Sequence, residues 1–188
     1  YQVQAYGLCL NAMLVAINPE LTSADGQRAA DALLVQVRSL IKGGAEPNAG
    51  AGLNGWTHHV VAAAIVFVRK TPEIWSTLTA EEQSRLDWIM RAMAVAGHFQ
   101  HDDGNDYTTS LMADDNSHKG WNPNHRLYYF AVLMGAVYFG PEEMNTIFTS
   151  FDFDTYINKF DEYGFTNIKS VWTGYDWKPL LENGGTYI

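Results

Sequence analysis

Three stretches of this chain are nearly free of charge, and each is followed by one whose apolar residues recur at helical spacing. Residues 4–18, from Gln4 to Asn18, hold no charged side chain and predict a helix buried on most sides. Residues 24–42 are amphipathic: Ala30, Leu33, Leu34, Val37, Leu40 and Ile41 form the apolar stripe, and Gly43-Gly44 ends the helix. Residues 55–70 run uncharged through Val60–Val68; the length of the run and its alanines favour helix over strand. Thr79-Ala80-Glu81-Glu82 is a capping box that opens a second amphipathic helix reaching about His98. Residues 123–139 are uncharged after Arg126 and are stopped by Gly140-Pro141; residues 141–163, acidic and aromatic, predict one or two shorter helices.

In a plain four-helix bundle every helix has one wet face and all are amphipathic. Alternation of dry and half-wet helices predicts concentric layers instead, an inner one covered by an outer one. The expected fold is therefore all-α, an α/α toroid built from helical hairpins, or an open arc or fragment of one. Residues 1–188 read as a single helical domain with three such hairpins, too few to close a ring. The chain opens at Tyr1 without a signal peptide, and Glu182–Ile188 reads as a loop entering a further element. The expectation is a part of a larger toroid domain.

The starts of the uncharged helices resemble one another. Leu53-Asn54-Gly55-Trp56-Thr57-His58-His59 opens the second, and Gly120-Trp121-Asn122-Pro123-Asn124-His125-Arg126 opens the third. Gly174-Tyr175-Asp176-Trp177 is a candidate start for a fourth. Asn122 fits an N-cap and Pro123 the first helical position, where a missing N–H costs nothing. Asn124, His125 and Arg126 then stand beside free backbone N–H groups at the positive end of the helix dipole, a setting that suits an anion. In a toroid the inner starts share a rim, which would gather Asn54, His58, Asn124, His125 and Tyr175 around a cleft walled by Trp56, Trp121 and Trp177. Adjacent helical residues diverge by about 100°, so only one of His58 and His59 can face that cleft; His58 is the better placed.

Composition narrows the partners. A net charge of −9 argues against nucleic acid and anionic membranes. No apolar run reaches the roughly 18–20 residues of a membrane span. Aromatic residues make up 13% of the chain, enough for a thick core or a surface that stacks on sugar rings. Cys9, the sole cysteine, lies in an apolar run; it excludes an internal disulfide and reads as core.

The rim set, Asn124-His125 above all, resembles the α/α-toroid polysaccharide lyases, the alginate and glucuronan lyase-like families in particular. The resemblance spans the helical layout, but matching residues lie only at 120–130. It implies a polysaccharide lyase that cleaves a uronic-acid polymer by β-elimination, is secreted or periplasmic, and requires no cofactor. The family's later Arg…Tyr pattern has no full match, since no arginine follows Arg126; Tyr175 replaces it by location alone. Elimination needs the uronate carboxylate hydrogen-bonded so that the charge developing on it is tolerated. A base must also remove the C5 proton, and an acid must protonate the departing O4. Asn124 and Asn54 would neutralise, His125 would be the base and Tyr175 the candidate acid. Arg126 would pair with a carboxylate, with His58, Trp56, Trp121 and Trp177 binding sugar. The partner is thus an anionic polysaccharide; the oligomeric state stays open.

Other chemistries stay in view. Phe99-Gln100-His101-Asp102-Asp103-Gly104-Asn105-Asp106 fits the acidic pattern with which terpene synthases bind magnesium, but Gly104-Asn105 favours a turn and that family's second metal motif is absent. Asp102, Asp103 and Asp106 could instead hold a structural calcium or magnesium in the 101–118 loop, or be solvated. Loop aspartates also leave open a glycoside hydrolase on an α/α barrel, and a glycan-binding scaffold without catalysis fits the same layout. No phosphate-binding glycine loop, G-x-S-x-G elbow or H-E-x-x-H motif occurs.

Overall fold

The computed structural model describes residues 2–18, 20–43, 55–101 and 123–174. Its helices are α1 (Gln2–Ile17), α2 (Ala24–Gly43), α3 (Gly55–Lys70), α4 (Pro72–Trp75), α5 (Ala80–His101), α6 (Pro123–Phe139), α7 (Pro141–Thr149), α8 (Phe153–Tyr163) and α9 (Thr166–Gly174). Among the described residues there is no strand, so the all-α expectation holds. None of these helices is long and apolar enough to cross a membrane.

The helix boundaries follow local chemistry. Ser23 Oγ accepts the Gly26 N–H at 3.1 Å to open α2. The predicted capping box opens α5: the Glu82 N–H donates to Thr79 Oγ1 at 3.1 Å, and the Thr79 N–H donates to Glu82 Oε2 at 2.8 Å. Gly140, at φ 91°, ends α6 in a conformation open to glycine, and Pro141 starts α7. α8 begins at Asp152, whose carboxylate accepts the Thr155 N–H at 2.9 Å. It ends in a Schellman turn at Gly164, φ 69°, where Phe165 N–H reaches Phe160 O at 2.7 Å.

The uncharged helices form a layer, with α3 between α1 and α6. α2 packs on α1 and touches α5; α5 lies along α6 and reaches α3, α7 and α8. Layering is therefore as expected, but two of the burial expectations are reversed. α1 is covered on one side only, by contacts at Ala5, Leu8, Ala12 and Val15, and leaves Leu10, Leu14 and Ile17 half or more exposed. α5, read as half-wet, is dry through its middle: Ile89, Met90, Ala92, Met93, Ala94 and Val95 are all buried. Absence of charge says that a helix tolerates burial, whereas its neighbours decide which sides are covered, and α5 packs against α2, α3, α6, α7 and α8.

α5 runs to His101, three residues past the expected end. Two elements were not anticipated, the short α4 and α9; the candidate helix start at 174–177 lies, after Gly174, outside the described residues. α9 is held by Trp172, fully buried with its ring stacked on Tyr156 (5.3 Å, 13°) and edge-on to Phe160 at 5.1 Å. Burial pushes the Tyr156 phenol up to about 12. Cys9 is half-buried, and burial raises its thiol pKa, in keeping with a packing role.

Candidate functional site at the shared start of α3 and α6

Which helix ends meet is decided by a contact far from the predicted motif. Arg69, next to last in α3, holds its guanidinium 4.3 Å from the Trp75 ring centre and 5.7 Å from that of Tyr138, next to last in α6. Helices of 16 and 17 residues that pack along each other and finish together also start together. The starts of α3 and α6 therefore occupy one end of the molecule, about 22 Å from the Arg69–Tyr138 contact at 1.5 Å per residue.

α5 runs the other way. Asp87, early in α5, accepts the Tyr138 hydroxyl hydrogen bond at 2.5 Å, and Ala94, a further seven residues along, lies opposite Gly135. A Cβ built on Gly135 would sit 3.0 Å from Ala94 Cβ, so the two helices approach closely there. The last turn of α5, with His98 and His101, thus ends where α3 and α6 begin. Five of the six histidines of the chain, His58, His59, His98, His101 and His125, lie on helix segments at this one end.

Of the residues predicted for the rim, Trp56 and His58 lie in the first turns of α3, and Asn124, His125 and Arg126 in the first turn of α6. The structure brings those two groups to the same end; their backbones are described and their side chains are not. Asn54, Trp121, Tyr175 and Trp177 lie outside the described residues, as do Asp102, Asp103 and Asp106. Among the described residues no group of three or more metal-ligating side chains occurs. Two helix N-termini side by side present positive dipole ends, which favour an anion between them. His98 and His101 were not singled out from the sequence; the signal that finds them is the antiparallel course of α5, which sequence spacing does not contain.

The opposite end is built for rigidity. Burial first, and then the hydrogen bond to Asp87, pushes the Tyr138 phenol far above its ordinary range, so it stays a donor. Arg91 pairs with Glu143 at 2.6 Å and lies 4.8 Å from the Phe139 ring, tying α5 to the α6–α7 corner. A groove of about 490 Å³ also opens here between α2, α5 and α8, lined by Arg38, Lys42, Arg85 and Tyr163 among others. Its guanidinium groups are occupied: Arg38 meets Glu82 at 2.9 Å, and Arg85 meets Glu81 at 3.1 Å and the Tyr163 carbonyl at 2.7 Å. Burial works against ionised Glu82, but the Thr79 N–H and Arg38 outweigh it and hold the carboxyl below its ordinary value. Because Arg38 and Lys42, near the C-terminus of α2, border this groove, α2 finishes at the same end as α3. α2 and α3 therefore run in the same direction.

No family model matches the chain, and no solved structure matches it. Over 176 residues, 92% of its length, it is 35% identical to a protein of a Bacillus sp. described as a Gellan lyase, and it spans only 7% of that protein's length. The chain is thus similar, over almost all of its own length, to a small part of a polysaccharide lyase.

Proposed function

We infer that this chain is part of a polysaccharide lyase that cleaves a uronic-acid-containing polysaccharide by β-elimination at the shared start of α3 and α6. The similarity to the Gellan lyase carries the reaction class. The common end of two inner-layer helices, bearing His58 and His125 in their first turns, supports the location.

On this reading the paired N-termini attract the substrate carboxylate, and Asn124, with Asn54, donates hydrogen bonds to it as negative charge builds up. The carboxylate's electron withdrawal then becomes usable and the C5 proton acidic enough to remove. His125 in its neutral form takes that proton, and the positive helix end disfavours its imidazolium. The C4–O bond breaks as the C4–C5 double bond forms, and Tyr175 supplies the proton that the departing O4 requires. Arg126 pairs with a carboxylate of the polymer, and Trp56, Trp121 and Trp177 offer ring faces to sugars. A secreted location follows from a polymer too large to be taken up intact.

The test is direct. The purified chain and the longer polypeptide containing it are mixed with gellan, alginate and glucuronan, and the ultraviolet absorbance of the conjugated product is followed. A rise that His125→Ala abolishes supports the reading. Absorbance from the longer polypeptide that His125→Ala, Asn124→Ala and His58→Ala all leave unchanged would place the chemistry elsewhere and leave this chain a non-catalytic helical part. Reducing ends without absorbance would point to a glycoside hydrolase.

A further inference from the structure

α1 carries no charged side chain along its whole length, yet it is covered on one side only. On the uncovered side Leu10, Met13, Leu14 and Ile17 are 51, 36, 50 and 66% exposed. At about 100° per residue these four point opposite to buried Leu8, Ala12 and Val15. Beyond α3, on the far side of the layer, α6 shows the same: Leu133 and Val137, one turn apart, are 60 and 48% exposed. Central α3 differs, because α1 and α6 take its flanks and its Val60–Val68 run leaves no large apolar residue exposed. A helix apolar all round belongs in an interior, and a continuous apolar face of this kind marks an interface.

We propose that the open face of α1 seats an uncharged helix of an adjoining helical hairpin, supplied by the same polypeptide outside residues 1–188, and that the Leu133–Val137 face of α6 seats its counterpart. Two observations select this occupant. First, both faces continue the layer in which α1 meets α3 and α3 meets α6, uncharged helix against uncharged helix. Asn11, at the edge of the α1 face, donates to Gln36 of α2 at 3.0 Å, and Tyr6, 48% exposed, adds its ring to the same face. Second, the Gellan lyase relative carries the matching stretch as 7% of its length, so a polypeptide of that kind has ample sequence on which such hairpins could lie. The proposal does not depend on the lyase reading.

One pair of substitutions, Leu14→Lys with Ile17→Lys, tests it in two proteins. In the chain of residues 1–188 alone, the wild type should bind 8-anilinonaphthalene sulfonate and associate without fixed stoichiometry in sedimentation. The double variant should bind less dye and associate less, the Leu133–Val137 face staying open, with its thermal midpoint unchanged or higher. In the longer polypeptide the wild type should be monodisperse and silent to the dye, and the same substitutions should lower its midpoint. Leu133→Lys should repeat the inversion of sign at α6. An isolated chain that is monomeric and dye-silent would overturn the proposal, since the face is then covered from within. A discrete dimer broken by Leu14→Lys would overturn it in favour of a second copy. So would a longer polypeptide indifferent to the substitutions.

Discussion

Arg69 and Tyr138, 69 residues apart in sequence, lie with guanidinium and ring centre 5.7 Å from each other, and this contact pins the finishing ends of α3 and α6 together. The same phenol donates to Asp87 of α5, so three helices are fixed at one point. Tyr138→Phe keeps the buried ring and removes the charge-assisted hydrogen bond. It should cost about 1–2 kcal/mol in urea denaturation. Arg69→Ala, which loses the exposed guanidinium over Trp75, should cost about 0.5–1 kcal/mol.

Two glycines within helices should respond oppositely to alanine. A Cβ on Gly26 would sit 2.2 Å from the Glu20 carbonyl oxygen, because the 20–23 turn folds tightly onto the first turn of α2. Backbone must shift to admit it, and a loss of about 1–3 kcal/mol is expected. Gly7, in α1, has nothing within 4 Å of its Cβ position. Gly7→Ala should stabilise by about 0.5–1 kcal/mol through helix propensity alone. Thermal unfolding of the two variants side by side checks the sign of each.

Such local rules were the legible part of the sequence. The Thr79–Glu82 capping box, the Gly140-Pro141 break and the extent of α2 and α3 are set by neighbours within a few residues, and the structure has each where the sequence predicts it. α9 escaped because its residues, among them Thr166, Ile168, Val171 and Thr173, favour helix weakly; what holds it is Trp172 stacking on Tyr156, sixteen residues back. The candidate site divides along the same line. That His58 and His125 each sit at a helix start is a local property. That the two starts share an end, together with His98 and His101, is decided by Arg69–Tyr138 and Asp87–Tyr138, contacts between distant segments that no periodicity encodes.

The acid limb of stability should carry a signature of Glu82. In the folded protein its carboxyl is held below its ordinary value, because the Thr79 N–H and Arg38 outweigh burial. A depressed carboxyl means that the unfolded chain binds the proton more readily, so the stabilisation is complete above the unfolded pKa. It is lost as pH falls through the folded one. Glu82→Gln should therefore flatten the fall in stability below about pH 4.5 while leaving any slope above pH 6 unchanged. A chemical-denaturation series across pH reads this, and an acid limb identical in the two proteins would contradict it.

At the proposed site, His125 and Arg126 should separate kinetically. A general base contributes about 10²–10⁴-fold to rate, so His125→Ala should lower kcat by that order with KM little changed. The residue lies in the first turn of α6, remote from the Arg69–Tyr138 clamp, and its loss should leave the unfolding midpoint in place. Arg126→Lys retains charge but not the two-pronged carboxylate fit, and should raise KM more than it lowers kcat. Raising ionic strength should weaken polyanion binding by both proteins and leave the KM gap between wild type and Arg126→Lys largely in place, because both side chains carry the same charge. If His125→Ala instead raised KM at constant kcat, the histidine would be a binding group, and the base would have to be sought among His58, His98 and His101 at the same end.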